Sequence, residues 1–142
     1  MIKKLKQFKR SERGDGWLWL LFSILIFTIL GLISVSIVNY QMTKSNVKTA
    51  ANETLQIMKV ENGSTEATRQ RFNTLLTKMG IDPARVEFEA TPQMVQRGDA
   101  LEITARVKEY EIIGLKAIGV NYKTSIEVHS SGLAHKYIRK GD

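Results

Sequence analysis

Cysteine is absent from the 142 residues, and histidine and proline occur only twice each. Without cysteine there is no disulfide framework and no thiolate metal site. That is compatible with an extracytoplasmic domain that does without disulfides. The histidines, His129 and His135, stand in a strand-to-tail region and are expected on the surface. The prolines, Pro83 and Pro92, both fall in the second half of the chain. No phosphate-cradling loop, paired ligand set or nucleophile constellation is visible. An enzyme is therefore not expected: no catalytic, cofactor-binding or metal-binding residue is assigned, and no small-molecule substrate.

The longest absence is of charge, which is missing from residues 16–43. The change is abrupt in "RSERGDGWLWLLF", which begins at Arg10: charged or small up to Gly16, apolar from Trp17. The formal net charge is +7, and it is unevenly placed. Residues 1–16 carry Lys3, Lys4, Lys6, Lys9, Arg10 and Arg13 against Glu12 and Asp15, six basic minus two acidic, or +4. Only +3 remains for everything after. The excess sits beside the apolar run, so a nucleic-acid partner is not expected.

The run "WLWLLFSILIFTILGLISVSIV" covers residues 17–38. As a helix it spans about 33 Å at roughly 1.5 Å per residue, enough for a hydrocarbon layer of roughly 30 Å. A chain this short cannot wrap so uniformly apolar a rod in a soluble core. A cleaved secretory signal has a shorter apolar region, roughly 7–15 residues, with small residues after it. An uncleaved signal anchor fits better. Trp17, Trp19 and Tyr40 stand near its ends, where amphipathic rings favour the membrane interface. The basic cluster before the span keeps the N-terminus cytoplasmic and sends the rest outside.

The helix is expected to continue beyond the span. Neither proline nor glycine interrupts residues 32–62, and Val47, Ala51, Leu55 and Met58 form a narrow apolar stripe. Gly63 is the first plausible stop. Residues 17–60 as one rod measure roughly 66 Å. The stripe is a candidate helix-packing surface, against the chain's own domain or against neighbouring copies. The organisation is then a basic cytoplasmic leader (1–16), a transmembrane helix (17–40), a helix extension (41–62) and an extracytoplasmic domain (63–142).

That domain reads as α+β. Ser64 or Thr65 can cap a second helix that places Phe72, Leu75, Leu76 and Met79 on one face and closes at Gly80. Asp82 and Pro83 make a turn. "RVEFEAT" alternates with Val86, Phe88 and Ala90 on one side, and Pro92 ends it. "QRGD" at 96–99 turns the chain into "ALEITARVKEY", where Leu101, Ile103, Ala105 and Val107 point inward. "IIGLKAIG" reads as a loop whose aliphatics cap the core, or as a lid or an apolar contact loop. In "VNYKTSIEVHSS", Val120, Tyr122, Thr124, Ile126 and Val128 share one face. The expected architecture is a long N-terminal helix, then a second helix on a small antiparallel sheet of about three strands, with one sheet face polar.

Several motifs have plainer explanations than function. "RGD" at 97–99 serves a turn. Glu87, Glu89 and Glu102 fall on the outward sheet face. "NET" at 52–54 and "NGS" at 62–64 match a glycosylation acceptor, a triplet frequent by chance.

Three stretches carry a resemblance: "RGDGWLWLLFSILIFTILGL", "NYQMTKSNVKTAANETLQIMKVENGS" and the tail "SSGLAHKYIRK". Together they resemble the type IV pilin superfamily. The closer likeness is to the TadE-like minor pilins of Flp/Tad-type pili, and more specifically they resemble uncharacterised TadE-like membrane proteins of Gram-positive bacteria. The resemblance implies a structural or accessory component of a pilus-like surface or secretion assembly. Its partners would be the membrane and other pilus or secretion subunits, with homo-oligomers among them. It also makes Gly14 and Gly16 candidate ends of a cleaved leader. Pilins carry a glutamate at the fifth position after the cut. Here that position is Trp19 counted from Gly14, or Leu21 counted from Gly16. The alternatives are a membrane-tethered binding or sensor module and an accessory subunit of a membrane enzyme or transporter.

Overall fold

The stretch without helix breakers is the upper part of one longer helix, which also takes in Gly14, Gly16 and Gly31. In the computed structural model, α1 runs Ile2–Glu61, 60 residues. The structure describes residues 2–117 and 119–136, with side chains from Gly16 onward except at positions 113 and 117. The end of the tail motif, residues 137–140, lies outside the described residues.

Helix α1 stops at an Asn-Gly pair. Asn62 is left-handed (φ 56°) and Gly63 follows at φ 135°. The Gly63 N–H donates to the Met58 carbonyl at 3.1 Å, the long closing bond of a Schellman end. A Cβ on Gly63 would run into the backbone of Pro92 and Gln93, so glycine is required there by space and by φ. Asn62 is fully buried, and both ends of its carboxamide hold the backbone of Lys136.

Helix α2 is Glu66–Lys78. Thr65 caps it reciprocally with Thr68: the Thr68 N–H donates to Thr65 Oγ1, and the Thr65 N–H donates to Thr68 Oγ1, each at 3.1 Å. Gly80 (φ 75°) closes it, with the Ile81 N–H reaching the Leu76 carbonyl at 2.9 Å. A 3-10 turn, Pro83–Arg85, leads into the sheet.

The strands are β1 (Val86–Ala90), β2 (Ala100–Glu111) and β3 (Lys123–Leu133). They form an antiparallel sheet in the order β1-β2-β3, with Phe88 opposite Ala105 and Ala105 opposite Val128. Alternation places Leu101, Ile103, Ala105 and Val107 of β2, with Ile126 and Val128 of β3, in one buried core with α1 and α2. The other face is polar and laced by cross-strand ion pairs, Arg106–Glu127 at 3.1 Å and Lys108–Glu87 at 3.3 Å. The fold is α+β: helices on one face of a three-stranded antiparallel sheet.

Two local readings change. "IIGLKAIG" contains a short helix, α3 (Ile113–Ala117). Strand β3 begins only at Lys123, so Val120 and Tyr122 do not join the inward face of Ile126 and Val128. They stand outside it, 49% and 56% exposed. At its far end β3 runs on through Gly132, where a Cβ would strike the Lys59 side chain of α1. Glycine in a strand marks this close approach.

Candidate membrane-proximal site

Helix α1 meets two different surroundings. Among side chains 17–38 only Ser36 is buried. Trp17 and Trp19 are 64% and 70% exposed, and Trp19 makes an edge contact with Phe22. Gly16 has open space around it, and Gly14 lies in the same helical backbone. Among the described residues, α1 is the one helix long and apolar enough to cross a membrane. Higher up, Val47, Ala51 and Met58 are completely buried and Leu55 nearly so, at 4%. They share the core of Phe72, Leu76 and the sheet. The stripe is therefore taken up by the chain's own head, and the buried face of residues 47–58 belongs to that head's core.

Tyr40 lies between these regions. Its ring meets Tyr110 of β2 edge-on, 5.7 Å between centroids at 77°. It thus seats the base of the sheet on α1. Below it α3 docks on the apolar run itself. The Gly114 N–H donates to Ser36 Oγ at 2.8 Å, while that hydroxyl donates to the Leu32 carbonyl at 2.7 Å. A Cβ at position 114 would collide with Ser36 and Leu32, so glycine permits this approach.

Between α1 and the α3 loop opens an apolar cleft of about 410 Å³, lined by Ile33, Ile37, Tyr40, Ile112, Leu115 and Tyr122 with Ser36 and Thr124. A smaller polar cleft adjoins it, sharing Ile112 and Tyr122 and adding Glu111, Lys116, Asn121 and Lys123. Ion pairs brace that rim: Lys116–Glu111 at 2.7 Å and Lys123–Glu109 at 2.9 Å. The Lys123 hydrogen bond, then its charge, holds the Glu109 carboxyl below its ordinary range; Lys116 does the same for Glu111. Glu109 in turn raises Lys123.

Of the interface and stripe residues singled out in the sequence, the structure brings Tyr40 to this cleft, where it joins Tyr122 and Thr124, which the sequence pattern places on the inward face of the third strand. Trp17 and Trp19 stand apart on the bare helix, and the stripe lies in the core. Sequence reasoning did not reach Ser36, Gly114 or the cleft. Two glycines in an aliphatic loop were the available signal, without an indication of what approached them. The remaining motifs are spent locally. His129 Nδ1 lies 3.2 Å from Thr104 Oγ1 on the exposed sheet face. Asp99 accepts the Gln96 N–H within its own turn at 3.2 Å. Asn52 is exposed and its Oδ1 accepts from Ser130 at 2.7 Å, while Asn62 is buried with its carboxamide on Lys136. Among the described residues no cluster of three or more histidine or acidic side chains is placed to hold a metal.

The fold and site define a class: a long apolar helix continuing without a break into a small α+β head. The chain belongs to the family described as a domain of unknown function, DUF4320, whose model matches residues 21–139. The match joins the upper apolar segment, the helix extension and the head in one unit and leaves Gly14, Gly16, Trp17 and Trp19 outside it. No curated protein and no solved structure matches the chain.

Proposed function

We propose that the protein is a membrane-anchored structural or accessory component, minor pilin-like, of a Tad/type IV pilus-like surface or secretion assembly. The N-terminus is cytoplasmic and the head is extracytoplasmic. The observation that carries this reading is α1: one unbroken helix, bare and apolar below, part of the head's core above. Such a molecule offers the side of its lower helix to neighbours while its head stays folded. Contacts to other subunits are accordingly made by the exposed side chains around Phe27, not by the stripe at Val47, Ala51, Leu55 and Met58.

The basic leader fixes orientation. Its fate decides the role. Cleavage after Gly14 or Gly16 by a prepilin-type peptidase removes all six leader cations, which are costly to draw through hydrocarbon. The subunit can then leave the bilayer and join a filament. A retained leader holds it at the base of the assembly. The intact mass of protein from its native membrane separates the two.

The test of the function is photo-cross-linking in native membranes from position Phe27. Cross-links to secretion or pilin-type subunits are expected. Cross-links to lipid alone would make the protein a tethered module and overturn the reading.

A further inference from the structure

The position of α3 along α1 sets a length problem. Charge ends at Asp15, and α3 docks at Leu32 and Ser36. Residues 17–31 lie clear below that contact. As helix they cover about 22 Å, short of a hydrocarbon layer of roughly 30 Å. The missing 8 Å or so matches the next turns of α1, from Leu32 to Ile37, and the first charge above them is Lys44. With α1 spanning the bilayer, the α3 loop cannot sit above the outer leaflet. It must enter it, to the several-ångström depth at which interfacial elements bury their apolar faces.

The loop is dressed for that position. Val120 and Tyr122 are exposed, Leu115 is half-buried, and the cleft facing α1 is apolar. Its neighbour is polar, lined by Asn121, Glu111, Lys116 and Lys123, the two lysines being exposed and paired with Glu111 and Glu109. An apolar slot with a charged rim has the polarity of one lipid molecule.

We infer that an acyl chain of an outer-leaflet phospholipid occupies the cleft between α1 and the α3 loop, with its headgroup at the Lys116 and Lys123 rim. This rests on the anchoring part of the proposed function, not on the pilus role. The bound chain fills the space that α3 leaves beside Ile33 and Ile37 and fixes how deep the head sits.

The experiment uses the full chain with Trp17→Phe and Trp19→Phe, carrying one new tryptophan at a time, in phosphatidylcholine vesicles with or without chain-brominated phosphatidylcholine. Flotation with the vesicles reads anchoring. Tyr122→Trp reads the cleft, Val120→Trp the immersion of the loop, and Leu133→Trp the distal end of the head. The expected result is loss of emission from Tyr122→Trp and Val120→Trp in brominated vesicles, with Leu133→Trp unchanged. A floating protein whose Tyr122→Trp emission survives overturns the inference and leaves the anchoring intact. Emission that survives at high protein density and is lost on dilution into lipid assigns the cleft to a second copy, which also overturns it. Failure to float overturns the anchoring and the inference together.

Discussion

The lower and upper parts of α1 have the same backbone and opposite surroundings. Around residues 17–38 large apolar side chains point outward on every side; around residues 47–58 the apolar side chains keep to a stripe and the stripe is buried. Uniform hydrophobicity asks for a surrounding that is apolar all round, which is a bilayer. A stripe asks for one partner on one side, which is the sheet and α2. The join needs no hinge, because Tyr40 on Tyr110 and Gly114 on Ser36 tie the head to the helix near the top of the apolar run.

The largest effect should follow from placing charge in the core that the upper helix shares. Phe72 is fully buried, with its ring 4.7 Å from that of Phe88. Phe72→Asp leaves an unpaired carboxylate there, at a cost of several kcal/mol against a total stability of roughly 5–15 kcal/mol. Residues 44–142 expressed alone are expected to give a folded circular dichroism spectrum, and the same fragment with Phe72→Asp a largely unfolded one. A folded Phe72→Asp fragment would mean that the head is not organised around this core.

A smaller effect separates the two parts of α1 directly. Leu55→Ala in the upper part should lower head stability by about 2–5 kcal/mol, the range for a buried leucine. Leu25→Ala in the exposed lower part should stay within about 0.5 kcal/mol. Hydrogen exchange of the β2 amides of the full chain in detergent micelles measures both. Equal losses would erase the distinction between the regions.

The smallest effect concerns pH. Glu109 and Glu111 have folded values below their ordinary 4.5, so their contribution is present above that value and fades as pH falls through the folded values. Lys123 is raised above 10.5, so its contribution is present below that value and fades as pH rises through the folded one. Head stability is expected to be flat from about pH 5 to 10 as far as these groups act, with slight declines outside it. The pairs are exposed, so added salt should flatten the declines further. A thermal-unfolding series across pH and salt checks this.

Much of the fold was legible because its signals are periodic. Four-residue recurrence from Val47 to Met58 marked the buried side of α1, and alternation marked β1 and β2. The caps at Thr65 and Gly80 were readable from local chemistry. What escaped depends on distant partners. Asn62 looked like part of a stop signal or a sugar acceptor, yet its carboxamide holds Lys136 across the fold. Val120 and Tyr122 continued the alternation of β3, but the strand starts at Lys123, with one last bond from the Ile112 N–H to the Tyr122 carbonyl at 3.3 Å, because the preceding residues turn out of α3. The polar small residues Ser130, Ser131 and Gly132 resembled a strand end; they continue the strand because Gly132 leaves room for Lys59. The cleft had no sequence signature, since Ser36 and Gly114 meet only once the head has folded back onto the anchor.

The central claim is that α1 passes from the cytoplasm through a bilayer and enters the head without a break. The natural absence of cysteine makes it directly testable, since every introduced thiol is the only one. Single cysteines at Ser11, Phe27 and Lys48 can be challenged in intact cells with a membrane-impermeant maleimide. Lys48→Cys is expected to label from outside, Ser11→Cys only after the membrane is permeabilised, and Phe27→Cys only in detergent. Labelling of Phe27→Cys in intact membranes, or of Ser11→Cys from outside, would contradict the claim.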